Sequence, residues 1–141
     1  DNAATYAANA EAARTELAAL DAELTDLLAP AAGWPLYVYH DAYGYFAEAY
    51  GLTIAGALAE GDAADPGAAR IRALRAEVAA AEAACVFAEA GHDPSLVANL
   101  VEGTGLRVGT LDPSGVTLVP GPELYAALLR GLAEAIAACA D

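Results

Sequence analysis

The sequence predicts an α/β fold: a four-stranded parallel sheet with helices on both faces, preceded by one long helix. Three observations predict it. From residue 36 onward, short runs rich in β-branched and aromatic residues alternate with longer Ala-rich stretches, the spacing of crossover connections between parallel strands. The run Ala84-Cys85-Val86-Phe87-Ala88 is apolar throughout, as strands covered on both faces are. Residues 3–28 differ, showing one apolar stripe at helical period and no strand signal.

The long helix comes first. Tyr6, Ala10, Ala13, Leu17, Leu20, Leu24 and Leu27 recur at spacings 4-3-4-3-4-3, while Glu11, Arg14, Glu16, Asp21, Glu23 and Asp26 fill the other faces. Pro30 ends the helix. The stripe fits a helix lying on its own domain, and a two-stranded coiled coil is the rival. The alternation then begins with the strand Leu36-Tyr37-Val38-Tyr39, closing at His40. Asp41 can cap a helix through Tyr50, which Gly51 stops. A second strand is expected over 52–57, a loop of small and acidic residues over 61–67, and a helix over 68–83 with Ile71, Leu74, Val78 and Ala81 on one face. The third strand spans 84–88, and Pro94 opens a helix to about residue 102. A fourth strand spans 106–111, a loop 115–121, and a last helix runs over 122–139 with Pro122 at its start.

Composition narrows the function. The 141 residues suffice for one domain with its own core. All six basic residues are Arg, against twenty acidic ones, for a net charge of −14. That excess excludes phosphate-tracking nucleic-acid binding and argues against an anionic membrane surface. The 57% apolar fraction includes 40 Ala, so the content of large apolar residues is ordinary. No run of eighteen uncharged apolar residues is present to span a membrane. Asp1-Asn2-Ala3-Ala4 carries no basic-then-apolar leader and the chain has no Met, so an interior or processed start is expected.

In open parallel sheets, ligands bind beyond the carboxyl ends of the strands. His40 and Asp41 follow the first strand, and Ala57, Glu60 and Asp62 follow the second. Glu89, His92 and Asp93 follow the third, and Asp112 follows the fourth. Both histidines of the chain thus fall on one rim. Imidazoles with a carboxylate form a borderline-soft donor set that suits zinc. Plainer roles compete: Asp41 as a helix cap, Asp112 before Pro113 as a turn residue, His92 as a surface histidine. His40, closing a buried strand, is the hardest to explain that way. No hydrolase elbow, phosphate-binding Gly loop or metalloprotease helix motif is present.

Three stretches carry a family resemblance: Tyr37-Val38-Tyr39-His40-Asp41-Ala42-Tyr43-Gly44-Tyr45-Phe46, Cys85-Val86-Phe87-Ala88-Glu89 and Gly109-Thr110-Leu111-Asp112-Pro113. With the helix over 122–139, they resemble the periplasmic zinc-binding proteins of zinc-uptake ABC transporters (the ZnuA type, cluster A-I). The resemblance runs over essentially the whole chain. It implies two α/β lobes joined by a long rigid helix, of which residues 1–30 are the connecting helix and residues 31–141 the C-terminal lobe. The N-terminal lobe, with its own zinc histidine and His-rich acidic loop, would lie outside this chain.

By that resemblance His40 is a zinc ligand and Asp112 the carboxylate that can complete the sphere. The family's usual histidine of this lobe falls at Ala57, a departure. His92, Glu60 and Asp62 are the weaker candidates to replace it, and a carboxylate there would move the site toward manganese. Cys85 and Cys139 are expected to pair, as the even count in an exported chain supports and the resemblance implies. The implied function is non-enzymatic. It is capture of Zn²⁺ in the periplasm and delivery to an inner-membrane ABC permease for high-affinity uptake. The alternatives are a manganese-binding, adhesin-like or metal-chaperone relative of the same fold, or a metal-dependent hydrolase. The long stripe also predicts self-association of the chain.

Overall fold

Helix α1 (Ala3–Leu28) leads into a single 3-10 turn, Ala29–Ala31, that carries Pro30. The strands and helices then alternate: β1 (Pro35–His40), α2 (Gly44–Tyr50), β2 (Thr53–Ala59), α3 (Ala68–Ala80), β3 (Cys85–Glu89), α4 (Ser95–Val101), β4 (Arg107–Leu111) and α5 (Leu124–Ala140). The computed structural model describes residues 2–59, 67–81 and 85–140. The expected loop candidates Glu60 and Asp62 lie outside the described residues, as does the expected start of the third strand at Ala84.

The strands pair in the order β2-β1-β3-β4, all parallel. The chain moves outward from β1 to β2, then crosses back over β1 to reach β3 and continues to β4. The order therefore reverses between β1 and β3, and their carboxyl ends flank the switch point where doubly wound sheets open a crevice.

Alternation along β1 and β3 sorts the core into two layers. Leu36, Val38, Cys85 and Phe87 face one side, packed with Leu20, Leu24 and Leu28 of α1, Ala47 of α2, and Leu132, Ala133 and Ile136 of α5. Tyr37, Tyr39, Val86 and Ala88 face the other, against Leu74 and Val78 of α3 and Val97 and Leu100 of α4. Helices cover both faces as expected, because every strand side chain of β1 and β3 needs a partner. Gly109 in β4 is dictated by the first layer. A Cβ there would stand 2.6 Å from Cε1 of the fully buried Phe87, too close for any side chain.

The Cys85–Cys139 disulfide fastens β3 to the end of α5, closing 54 residues. Glu23 of α1 and Arg130 of α5 form a two-pronged pair, both bonds 2.8 Å, across the helix–helix seam. The Arg130 bond holds the Glu23 carboxyl below its usual value.

Three local expectations are corrected. Asp41 does not cap the helix after β1. The Ala42 amide instead turns back to the His40 carbonyl at 3.0 Å, Tyr43 is drawn into the core, and α2 starts at Gly44 with Tyr43 in the cap position. Gly51 does end α2, in the left-handed conformation at φ 66°. Helix α3 stops at Ala80, short of residue 83. The stripe of α1 is divided: Leu20 and Leu24 are buried and Leu27 is half-buried against the core, whereas Tyr6 is 68% and Leu17 47% exposed; Leu28, beside the stripe, is buried as well. Only the C-terminal half of α1 reaches the sheet and α5, so only that half is covered by its own lobe.

Candidate metal-binding site

His40 is the last residue of β1 and Glu89 the last of β3, the two strands that flank the switch point. The first-layer face carries both side chains, each beyond the last apolar residue that its strand gives to that face (Val38 and Phe87). Both are buried, at 8% and 5% exposure. His40 Nδ1 stands 2.6 Å from Glu89 Oε2. The hydroxyl of Tyr43 donates to the same Oε2 at 3.2 Å. Burial first, then the Glu89 charge and this bond, and last the Asp112 charge drive the Tyr43 hydroxyl far above its usual range. It therefore stays protonated and keeps donating.

His92 joins from the loop after β3. Its Nε2 lies 3.6 Å from the other Glu89 oxygen, Oε1, and its ring packs on Tyr39 with centroids 4.4 Å apart. The ring centroids of His40 and His92 are 6.4 Å apart. Buried Glu89 thus lies between the two imidazoles of the chain.

The other candidates separate. Asp112 follows β4 and acts on Tyr43 electrostatically, so it borders the same region. Its oxygens are engaged by its own loop: Val116 N–H donates to Oδ1 at 2.9 Å, and Thr117 N–H and Oγ1–H donate to Oδ2 at 2.8 and 2.6 Å. Partial desolvation pushes the Asp112 carboxyl up, and those bonds outweigh it, so the net shift is downward. Asp93 accepts from the Ser95 amide at 2.9 Å, at the start of α4. Ala57 lies inside β2, opposite Val38, with its carbonyl accepting two bonds from Arg70 at 3.2 and 2.7 Å. Among the described residues, no group of three or more His, Cys, Asp and Glu side chains is arranged to hold a metal ion.

Sequence reasoning placed Glu89 on the rim without singling it out. The available signal was positional: a buried-type strand that ends in a carboxylate beside one that ends in a histidine.

The parallel sheet places His40 and Glu89 at the switch point, where α/β folds bind ligands. The family model described as zinc-uptake complex component A, periplasmic, matches residues 1–139. The chain belongs to this family. It is 54% identical over 140 residues to the high-affinity zinc uptake system protein ZnuA of Paracoccus denitrificans (strain Pd 1222), covering 99% of this chain and 43% of that protein. The protein of the same name from Brucella abortus (strain 2308) is 40% identical over 139 residues, covering 99% of this chain and 42% of its own length. A crystal structure of ZnuA superposes with a TM-score of 0.82 at 26% identity, over all of this chain and 52% of the other. The chain therefore spans about half the length of the relatives it matches.

Proposed function

We propose that this chain is the connecting helix (residues 1–30) and C-terminal lobe (residues 31–141) of an exported solute-binding protein. The intact protein captures Zn²⁺ in the periplasm and hands it to an inner-membrane ABC permease. The observation that carries this reading is the pairing of His40 with buried Glu89 at the switch point of a family member. Metal-bound histidines characteristically turn their other ring nitrogen to a carboxylate, which fixes the tautomer and raises basicity. His40 Nδ1 lies within ion-pair distance of Glu89, which leaves Nε2 to face the metal.

Zinc fits better than manganese because imidazole is a borderline-soft donor. Asp112 would add a carboxylate by exchanging its bonds to Val116 and Thr117 for the metal. A closed tetrahedral site takes four ligands, more than this lobe's donors supply, so the remainder come from the N-terminal lobe. Dividing the ligands between two lobes ties affinity to their approach. A permease that separates them lowers affinity and releases the ion. The metal leaves unchanged, so no catalysis is involved.

Zinc titration against a chromophoric chelator tests this. The chain should bind zinc at micromolar affinity or weaker, and His40→Ala should abolish binding. Undiminished binding by His40→Ala would refute the assignment.

A further inference from the structure

We infer that the exposed half of α1 docks a second copy of this chain, paired antiparallel so that Tyr6 of each copy lies over Leu17 of the other. Every residue over 2–19 is exposed, so this part of α1 projects beyond its own lobe. Its apolar stripe is Tyr6, Ala10, Ala13 and Leu17, at spacings 4-3-4. The stripe has the same form read from either end: a large residue, two alanines, a large residue. Laid antiparallel on a copy of itself, it sets Tyr6 on Leu17 at each end and Ala10 on Ala13 in the middle. The alanines let the two helix axes come close at the centre, and the large side chains close the contact at both ends.

Charge selects the orientation. The stripe is flanked by Ala7, Asn9, Arg14 and Glu16. In the antiparallel pair Glu16 faces Asn9 of the second copy, whose amide can donate to it, and Arg14 faces Ala7. A parallel pair would set Glu16 against Asp21, acid on acid, and would bring the two lobes side by side. Each copy carries a net charge of −14. Antiparallel pairing keeps the lobes at opposite ends of about 25 Å of helix. That exceeds the roughly 8 Å over which exposed charges act at physiological salt.

A groove of about 660 Å³ between α1 and α5 receives the incoming tyrosine. Leu17 and Leu20 of α1 line it with Pro122, Tyr125 and Ala126 of α5. Tyr125 is 59% exposed there. Tyr6 of the second copy, lying over Leu17, stands at the mouth of this groove and fills it with an aromatic ring. The two-fold symmetry makes the contact twice. The interface is thus a helix seam closed by two filled grooves, where a seam of this length alone would be marginal.

Cysteine cross-linking tests the register. Ala10→Cys and Ala13→Cys are made separately, at exposed positions that the fold does not use. Mixed and mildly oxidised, they should form a covalent dimer in preference to either variant alone. Tyr6→Ala should weaken association about 10-fold or more in sedimentation equilibrium, with an unchanged circular dichroism spectrum. Tyr125→Ala, which lies off the helix seam, should weaken it too. A covalent dimer formed best by Ala10→Cys alone, the mark of a parallel pair, would overturn the inference. So would a chain that stays monomeric at millimolar concentration, or association that neither tyrosine substitution changes.

Discussion

Nδ1 of His40 and Oε2 of Glu89 stand 2.6 Å apart at the carboxyl ends of the two strands between which the sheet reverses its order. Neither residue is accessible enough for water to take over its role. The Glu89 carboxylate that faces His40 also accepts from Tyr43 in the first core layer.

Removing that carboxylate should therefore destabilise the lobe as well as its site. Glu89→Ala leaves two buried polar partners unmatched and should lower stability by about 1–3 kcal/mol. Tyr43→Phe removes one donor and should lower it by about 1 kcal/mol. Urea unfolding midpoints with an unchanged m-value measure both.

Asp112 predicts a pH dependence. Its folded carboxyl sits below the ordinary 3.8, held there by Thr117 and Val116 against desolvation. A depressed carboxyl contributes stability above its unfolded value, and that contribution is lost as pH falls through its folded value. Thr117→Val removes one of those bonds. The variant should lose less stability than the parent between neutral pH and the acid range, as read by thermal melts at stepped pH.

Much of this fold is legible in the residues because its signals are local. Val38 and Phe87 announce buried strands, and Gly51 announces a helix end by the left-handed turn that only glycine adopts cheaply. Asp41 misled because capping is decided by where Tyr43 packs, a tertiary effect that outweighs the cap preference. The stripe of α1 is continuous in sequence, yet of its large residues only Leu20, Leu24 and Leu27 meet their own lobe, since coverage depends on where α5 lies. In the site, His40 was legible from its position at a strand end. Glu89 was not singled out, because its partner in β1 is 49 residues away and pairing between strands leaves no periodic mark.

The disulfide should contribute strongly to stability. Closing 54 residues restricts the unfolded chain by about 4 kcal/mol in the chain-entropy model. The Cys85→Ser, Cys139→Ser double variant should lose stability of that order, measured by denaturant unfolding without reductant.

The uncovered half of α1 predicts association between copies of the chain. Tyr6 and Leu17 are exposed, and burying such side chains stabilises by roughly 1.5–3 kcal/mol each. Leu17→Asp should weaken association at high concentration while leaving the fold intact. Leu24→Asp is no test of association, since Leu24 is fully buried in its own lobe and the charge would unfold it. Sedimentation equilibrium measures the first and circular dichroism the second.

Anomalous diffraction at the zinc edge, from crystals of this chain grown with Zn²⁺, locates the ion itself. A zinc peak is expected about 2.0–2.1 Å from a ring nitrogen of His40, at the ends of β1 and β3. Zinc bound only to surface carboxylates, with no peak beside His40, would contradict it.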